Sequence, residues 1–176
     1  MSAVRVFERA AEVKSPSAAP TSRPADVRIA QQADEREIFD LLMLLAEENA
    51  LAPVNDIKVL TMIRRATERR DGVIGIIDAP DGAGIAASVG IVMGSWWYTE
   101  AWHNEEMWSF VHPDYRRGNG NYAQKLIQFS KWWTEQLGMP LLMGVLSTKR
   151  TVGKVKLYAR NVPLAGALYL WRGSSV

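Results

Sequence analysis

One segment constrains this 176-residue chain more than any other: Val111-His112-Pro113-Asp114-Tyr115-Arg116-Arg117-Gly118-Asn119-Gly120-Asn121-Tyr122-Ala123. A strand-like stretch passes into a turn rich in glycine and asparagine and enters a helix at once. Such a junction presents successive backbone N–H groups, and the positive end of a helix dipole, to a single point. Glycine lets the backbone approach a ligand closely, and Arg116 and Arg117 carry the charge a phosphate needs. A pyrophosphate site and an ordinary strand–turn–helix connection both follow from this spacing, because Gly-Asn-Gly is good turn chemistry in its own right.

Around that junction the apolar periodicity alternates between strand and helix. Val27-Arg28-Ile29 reads as a strand. Asp34 with Glu37 resembles a capping box ahead of a helix whose inward positions are Ile38, Leu41, Leu42 and Leu45, and Pro53 breaks it. Asn55 can cap a second helix with Val59, Met62, Ile63 and Ala66 inward, ended by Gly72. Val73–Ile77 and Ile85–Met93 read as antiparallel strands across the Ala79–Gly84 turn, and Glu106–Val111 as a third. The helix after the junction carries Leu126, Phe129, Ser130, Trp133 and Leu137 on one face and stops at Gly138-Met139-Pro140. Leu141–Leu146 is expected as a buried strand, Thr151–Arg160 as a helix and Leu168–Trp171 as a last strand. The order β-α-α-β-β-β-α-β-α-β predicts an α/β domain over residues 27–176.

Ahead of it, residues 1–26 form an arm. Val4–Val13 is too short for an independent helix, and Ser15–Pro24 (SPSAAPTSRP) is a linker that cannot bury enough surface to order itself. We expect this arm to dock on its own domain, on a second copy or on a protein partner. Met1–Lys14 carries Glu8 and Glu12 without a continuous apolar core, unlike a secretory signal, and no apolar run is long enough to span a membrane. A cytoplasmic location is the expectation, or a virion-associated one if a phage encodes the chain.

Composition removes several chemistries. The chain has no cysteine, which excludes disulfides, thiolate metal sites and cysteine nucleophiles. Lys and Arg number 21 against 19 Asp and Glu, so the net charge of +2 suggests no polyanionic partner. Arg64, Arg65, Arg69 and Arg70 cluster at one helix end, where cations favour the dipole, and nucleic-acid binding through them is not expected. His103 and His112 have no metal-ligand spacing, so no metal site is expected.

The element order and the Pro113–Gly120 turn resemble the GNAT N-acetyltransferases, whose signature at this place is Arg/Gln-x-x-Gly-x-Gly/Ala. Arg117-Gly118-Asn119-Gly120 matches its first four positions and leaves Tyr122 where Gly or Ala is expected. A second register, favoured by the helix phase, puts Ala123 at that last position. The resemblance covers roughly Val27 to Trp171 and implies the GNAT acyl-CoA fold, a mixed central sheet flanked by helices. Glu47-Glu48-Asn49, Trp97–Glu100 and Glu105-Glu106 look like a branch met in phages and bacteria.

The resemblance implies acetyl-CoA as co-substrate and an amine acceptor. Its cofactor contacts would be Arg116, Arg117, Gly118, Asn119, Gly120, Asn121, Tyr122 and Ala123 at the turn, with pantetheine pairing to the backbone of Phe110 and Val111. Thr151, Lys154 and Tyr158 are spaced to share a helix face, and the family's fourth-helix Tyr implies Tyr158 as general acid to the thiolate. The attacking amine must first lose a proton, which a carboxylate on the central strand can take. Glu105 and Glu106 are the candidates. As strand neighbours they point to opposite faces; Glu105, six residues before Val111, matches the base position of some enzymes of the family, and a bulge in this strand would favour Glu106 instead. Trp96, Trp97, Tyr98 and Trp102 could wall an acceptor pocket, pack on the first two helices or form a partner surface. The expected function is acetyl transfer to an amine in a ternary complex. The alternative is a non-catalytic docking protein of the same fold, tethered by its arm.

Overall fold

Strand alternation and helical periodicity place most elements where expected. The computed structural model describes residues 22–49, 52–117, 120–147 and 149–166. The expected helix at Val4–Val13, the linker up to residue 21 and the strand at Leu168–Trp171 lie outside these residues. The elements are β1 (Arg28–Ile29), α1 (Glu35–Asn49), α2 (Asp56–Thr67), β2 (Gly72–Asp78), β3 (Ile85–Ser95), β4 (Trp102–Val111), α3 (Tyr122–Leu137), β5 (Leu141–Leu142) and α4 (Thr151–Ala159). Residues 18–151 form one compact unit, and α4 beyond Thr151 belongs to another.

The sheet runs β1-β2-β3-β4-β5, antiparallel until the last pair, which is parallel. Its two faces carry separate cores. On one, Ile38, Leu41 and Leu42 of α1 and Ile63 and Ala66 of α2 pack with Ile74, Ile76, Trp108 and Phe110. On the other, Leu126 and Phe129 of α3 pack with Val73, Ala87, Val89 and Ile91. Each fully buried aliphatic contributes about 1.5–3 kcal/mol relative to exposure, so these stripes hold the helices on. No helix of the described residues is long and apolar enough to cross a membrane.

Several boundaries differ from expectation for local reasons. The Asp34 carboxylate does not box with Glu37. It accepts the Gln31 N–H at 2.7 Å and both terminal nitrogens of Arg28, so Asp34 closes a 3-10 turn and α1 starts at Glu35. Asn55 does cap α2, its side chain accepting the Lys58 N–H at 3.0 Å. Gly72 does not end α2, which stops at Thr67; it opens β2, where a Cβ would meet the Ile91 carbonyl oxygen at 2.4 Å. On α3 Leu137 is exposed, and Ile127 and Thr134 are buried instead. β4 reaches back to Trp102, taking in His103 and Asn104, both buried. β5 is the largest difference: only Leu141 and Leu142 pair, with Asn104 and Glu105, and both are half-buried. Beyond Leu142 the chain leaves β4, so the expected strand to Leu146 loses its ladder.

Candidate functional site

Among the described residues, the departure of β5 leaves the far half of β4 with an open edge. His112 N–H donates to the Ala86 carbonyl at 2.8 Å, toward β3. In an antiparallel ladder the outward direction alternates, so Phe110 also turns its backbone to β3, opposite Ser88. Ser109 and Val111 therefore present their N–H and C=O groups to the opened side. Of the expected pair Phe110 and Val111, Val111 is the residue whose backbone faces that gap.

A bulge settles the orientation of the two glutamates. Gly90 pairs with Trp108, but Ile91 pairs with Glu106, so Met107 is an extra residue in β4 and is half exposed. Ile91 belongs to the α3-side core, and Glu106 shares its face; Glu106 is buried. Glu105 pairs with Val92, on the face of Gly90 and Trp108 that carries α1 and α2, and it is exposed. Without the bulge these orientations would be exchanged.

Past Val111 the chain makes a 3-10 turn, Pro113–Tyr115, before the glycine segment. The Tyr115 hydroxyl donates to the Asp81 carboxylate, 2.9 Å from both oxygens, and so fastens this turn to the β2–β3 hairpin. The Ala83 N–H and the tyrosine hydroxyl together lower the Asp81 pKa, while the carboxylate raises that of Tyr115. Gly118 and Asn119 lie outside the described residues. Asn121 takes the left-handed conformation (φ 47°) directly before α3, a place that favours glycine and that asparagine tolerates. The Tyr122 ring lies against Gly120, where an added Cβ would fall 2.5 Å from Cζ. Arg117 is exposed, and Ala123 lies in the first turn of α3.

Arg116 behaves differently from its neighbour. Its Nη2 lies 2.6 Å from Glu48 Oε2 at the end of α1, and its Nε donates to the Val111 carbonyl at 2.8 Å. Its Cζ stands 4.8 Å from the centre of the Phe110 ring. This partner was not legible in the sequence, where Glu48 stood out only as part of a family resemblance. An open cleft of about 470 Å³ adjoins the pair, bounded by Leu44, Glu47 and Glu48 of α1 and by Lys149 and Arg150 before α4. Asn49 Nδ2 donates to the Leu146 carbonyl at 3.3 Å, tying the two walls together. Arg150 is held at φ 60°, and the Thr151 hydroxyl donates to the Ser147 carbonyl at 2.6 Å.

The aromatic residues do not line this cleft. Trp97 is 95% exposed and Tyr98 and Trp102 are also exposed, so they do not pack on the first two helices. Trp96 stacks on the buried His103 with centroids 4.4 Å apart. The basic end of α2 is a solvated, paired face: Arg64 with Glu35, Arg65 with Asp71 and Arg70 with Glu68. Thr151, Lys154 and Tyr158 all fall within α4, so the helical spacing that groups them holds.

No protein-family model matches the chain, and no curated protein matches it in sequence. Solved structures do match in fold. An integron cassette protein from the mobile metagenome of the Cole Harbour salt marsh is 16% identical, covering 88% of this chain and 94% of its own, with a TM-score of 0.65. A ribosomal-protein-alanine N-acetyltransferase from Brucella melitensis biovar Abortus is 19% identical over 84% of this chain and 97% of its own, at a TM-score of 0.64. AAC(6')-Iy, solved with the bisubstrate analogue CoA-S-monomethyl-acetylneamine, is 14% identical over 85% and 98%, also at 0.64. At these identities the likeness shows the fold: a mixed sheet flanked by helices, as in the GNAT acetyltransferases.

Proposed function

We propose that this protein is an N-acetyltransferase that moves acetyl from acetyl-CoA to an amine by direct attack in a ternary complex. One observation carries the reading. β4 has an open edge, presenting Ser109 and Val111, that runs directly into a glycine-bearing turn and the N-terminus of α3. An extended amide-bearing arm fits such an edge by strand addition, and a pyrophosphate fits the helix start beyond it. Arg117 at the turn and Lys149 and Arg150 across the cleft are exposed cations suited to phosphates. The residues present thus fit acetyl-CoA, which supplies an activated thioester.

Within this reading Glu105 is the base, because it shares the α1/α2 face of the sheet with the cleft wall and is open to solvent, whereas Glu106 is buried under α3. Glu105 accepts a proton from the acceptor's ammonium, the freed nitrogen forms the new N–C bond, the C–S bond breaks, and the nitrogen releases its second proton to solvent, balancing the one the thiolate takes up. The family resemblance assigns proton delivery to the leaving thiolate to Tyr158. The amine class follows from this chemistry, and neighbours of the same fold include aminoglycoside acetyltransferases.

Calorimetry with acetyl-CoA, followed by mass spectrometry of a panel of amines, tests the proposal. Saturable binding and a product heavier by one acetyl group support it. If acetyl-CoA neither binds nor raises the melting temperature, the docking reading takes its place.

A further inference from the structure

We propose that Arg116 positions the acyl donor's extended arm and is not a ligand of its phosphates; this rests on the acetyl-transfer reading. The sequence places Arg116 beside Arg117 as a second phosphate cation, yet the structure commits its guanidinium elsewhere. One terminal nitrogen pairs with Glu48 at 2.6 Å, Nε bonds the Val111 carbonyl at 2.8 Å, and the plane lies over Phe110. The two charged side chains are only 17% and 13% exposed. Turning Arg116 toward an anion would break an ion pair between two largely buried side chains, which is unfavourable.

What Arg116 does instead follows from the open edge. Val111 and Ser109 are the residues whose backbone faces the gap left by β5, and each offers one donor and one acceptor. With one lone-pair site of its carbonyl taken by Arg116 and the guanidinium standing beside it, Val111 offers chiefly its N–H. An amide-bearing arm then has one preferred register, with a carbonyl of the arm on the Val111 N–H. The ion pair also ties the end of α1, one wall of the cleft, to the strand that carries Glu105. Losing Arg116 uncovers the Val111 carbonyl fully and lets the arm slip along the edge, which moves the thioester relative to Glu105.

Two donors separate positioning from phosphate binding: acetyl-CoA, and S-acetylpantetheine, which keeps the amide arm and carries no phosphate. In wild-type protein both bind, and both shift the Val111 amide resonance. Arg116→Gln should weaken both by a similar factor, about tenfold, and abolish the Val111 shift in the bound state. Single-turnover transfer at saturating donor should fall further still, on the order of 10²-fold, because misplacement by about an ångström has that effect. Glu48→Gln, nearly isosteric, should also weaken both donors, whereas Arg117→Gln should weaken acetyl-CoA alone. A loss confined to acetyl-CoA in Arg116→Gln would make Arg116 a phosphate ligand and overturn the proposal, as would tighter acetyl-CoA binding by Glu48→Gln. An unchanged Val111 shift in Arg116→Gln would overturn it too. Wild-type protein that binds neither donor removes this inference together with the acetyl-transfer reading; a loss limited to the phosphate-bearing donor removes this inference alone.

Discussion

The ring of Tyr122 lies on Gly120 so closely that a Cβ at position 120 would stand 2.5 Å from Cζ and 2.6 Å from Cε2. A side chain at position 120 can therefore fit only by displacing the first helical side chain. Gly120→Val should force the ring away and disturb the start of α3. The expected result is weaker acetyl-CoA binding, by about tenfold or more, together with a lower melting temperature. Calorimetry of the folded variant checks it, and unaltered affinity would detach the turn from donor binding.

The bulge at Met107 makes the two neighbouring glutamates unequal, and turnover should show it. Glu105→Gln is expected to lower kcat by about 10²–10⁴-fold. Activity should partly recover as pH rises, because free amine then forms without a protein base. Glu106→Gln, buried on the α3 face, should act mainly on stability and leave turnover near wild type. If Glu106→Gln alone abolished turnover, the face assignment would be wrong.

In the proposed mechanism, the family resemblance gives Tyr158 the role of protonating the departing thiolate. Tyr158→Phe should lower kcat by about 10²-fold or more while donor affinity hardly moves. Steady-state kinetics on a verified acceptor separates the two effects. Unchanged turnover would show that the thiolate leaves unaided or takes its proton from water.

Acid should loosen the entry to α1. The Arg28 guanidinium, aided by the Gln31 N–H, holds the Asp34 carboxyl below its usual 3.8, against the opposing effect of burial. A carboxyl with a depressed folded pKa contributes stability fully above its unfolded value and loses it as pH falls through the folded one. Urea melts should therefore weaken below about pH 4. Asp34→Asn should cost roughly 1 kcal/mol at neutral pH and show a shallower loss in acid. An identical pH slope in the variant would refute the linkage.

Gly90 gives the core's sharpest steric test. A Cβ there would lie 2.2 Å from the Trp108 ring, whose Nε1 donates to Ser88 Oγ at 2.9 Å in the buried interior. Gly90→Ala should destabilise the fold by roughly 1–3 kcal/mol through overpacking. Chemical denaturation measures this directly. Because Gly90 also marks the bulge, the variant reports whether the β3–β4 register tolerates disturbance.

Local chemistry was legible in the sequence wherever a residue's role depends on near neighbours. The periodicity of Ile38, Leu41 and Leu42 and of Leu126 and Phe129 marked the buried stripes of α1 and α3. Asn55 capped α2 as its type and place required. The strand–turn–helix junction was evident from Val111 to Ala123, and its resemblance to one fold family agrees with the fold observed. Tertiary structure alone decided the rest. Which of Glu105 and Glu106 faces α1 depends on an extra residue in the pairing of β4 with β3, and a register exists only once both strands meet. The length of β5 depends on where it parts from β4. Arg116 and Arg117 look alike in sequence, but one is engaged by Glu48 and the Val111 carbonyl and the other is exposed. A guanidinium's task is set by the carboxylate that the fold brings to it from a distant part of the chain, and no local pattern encodes that partner.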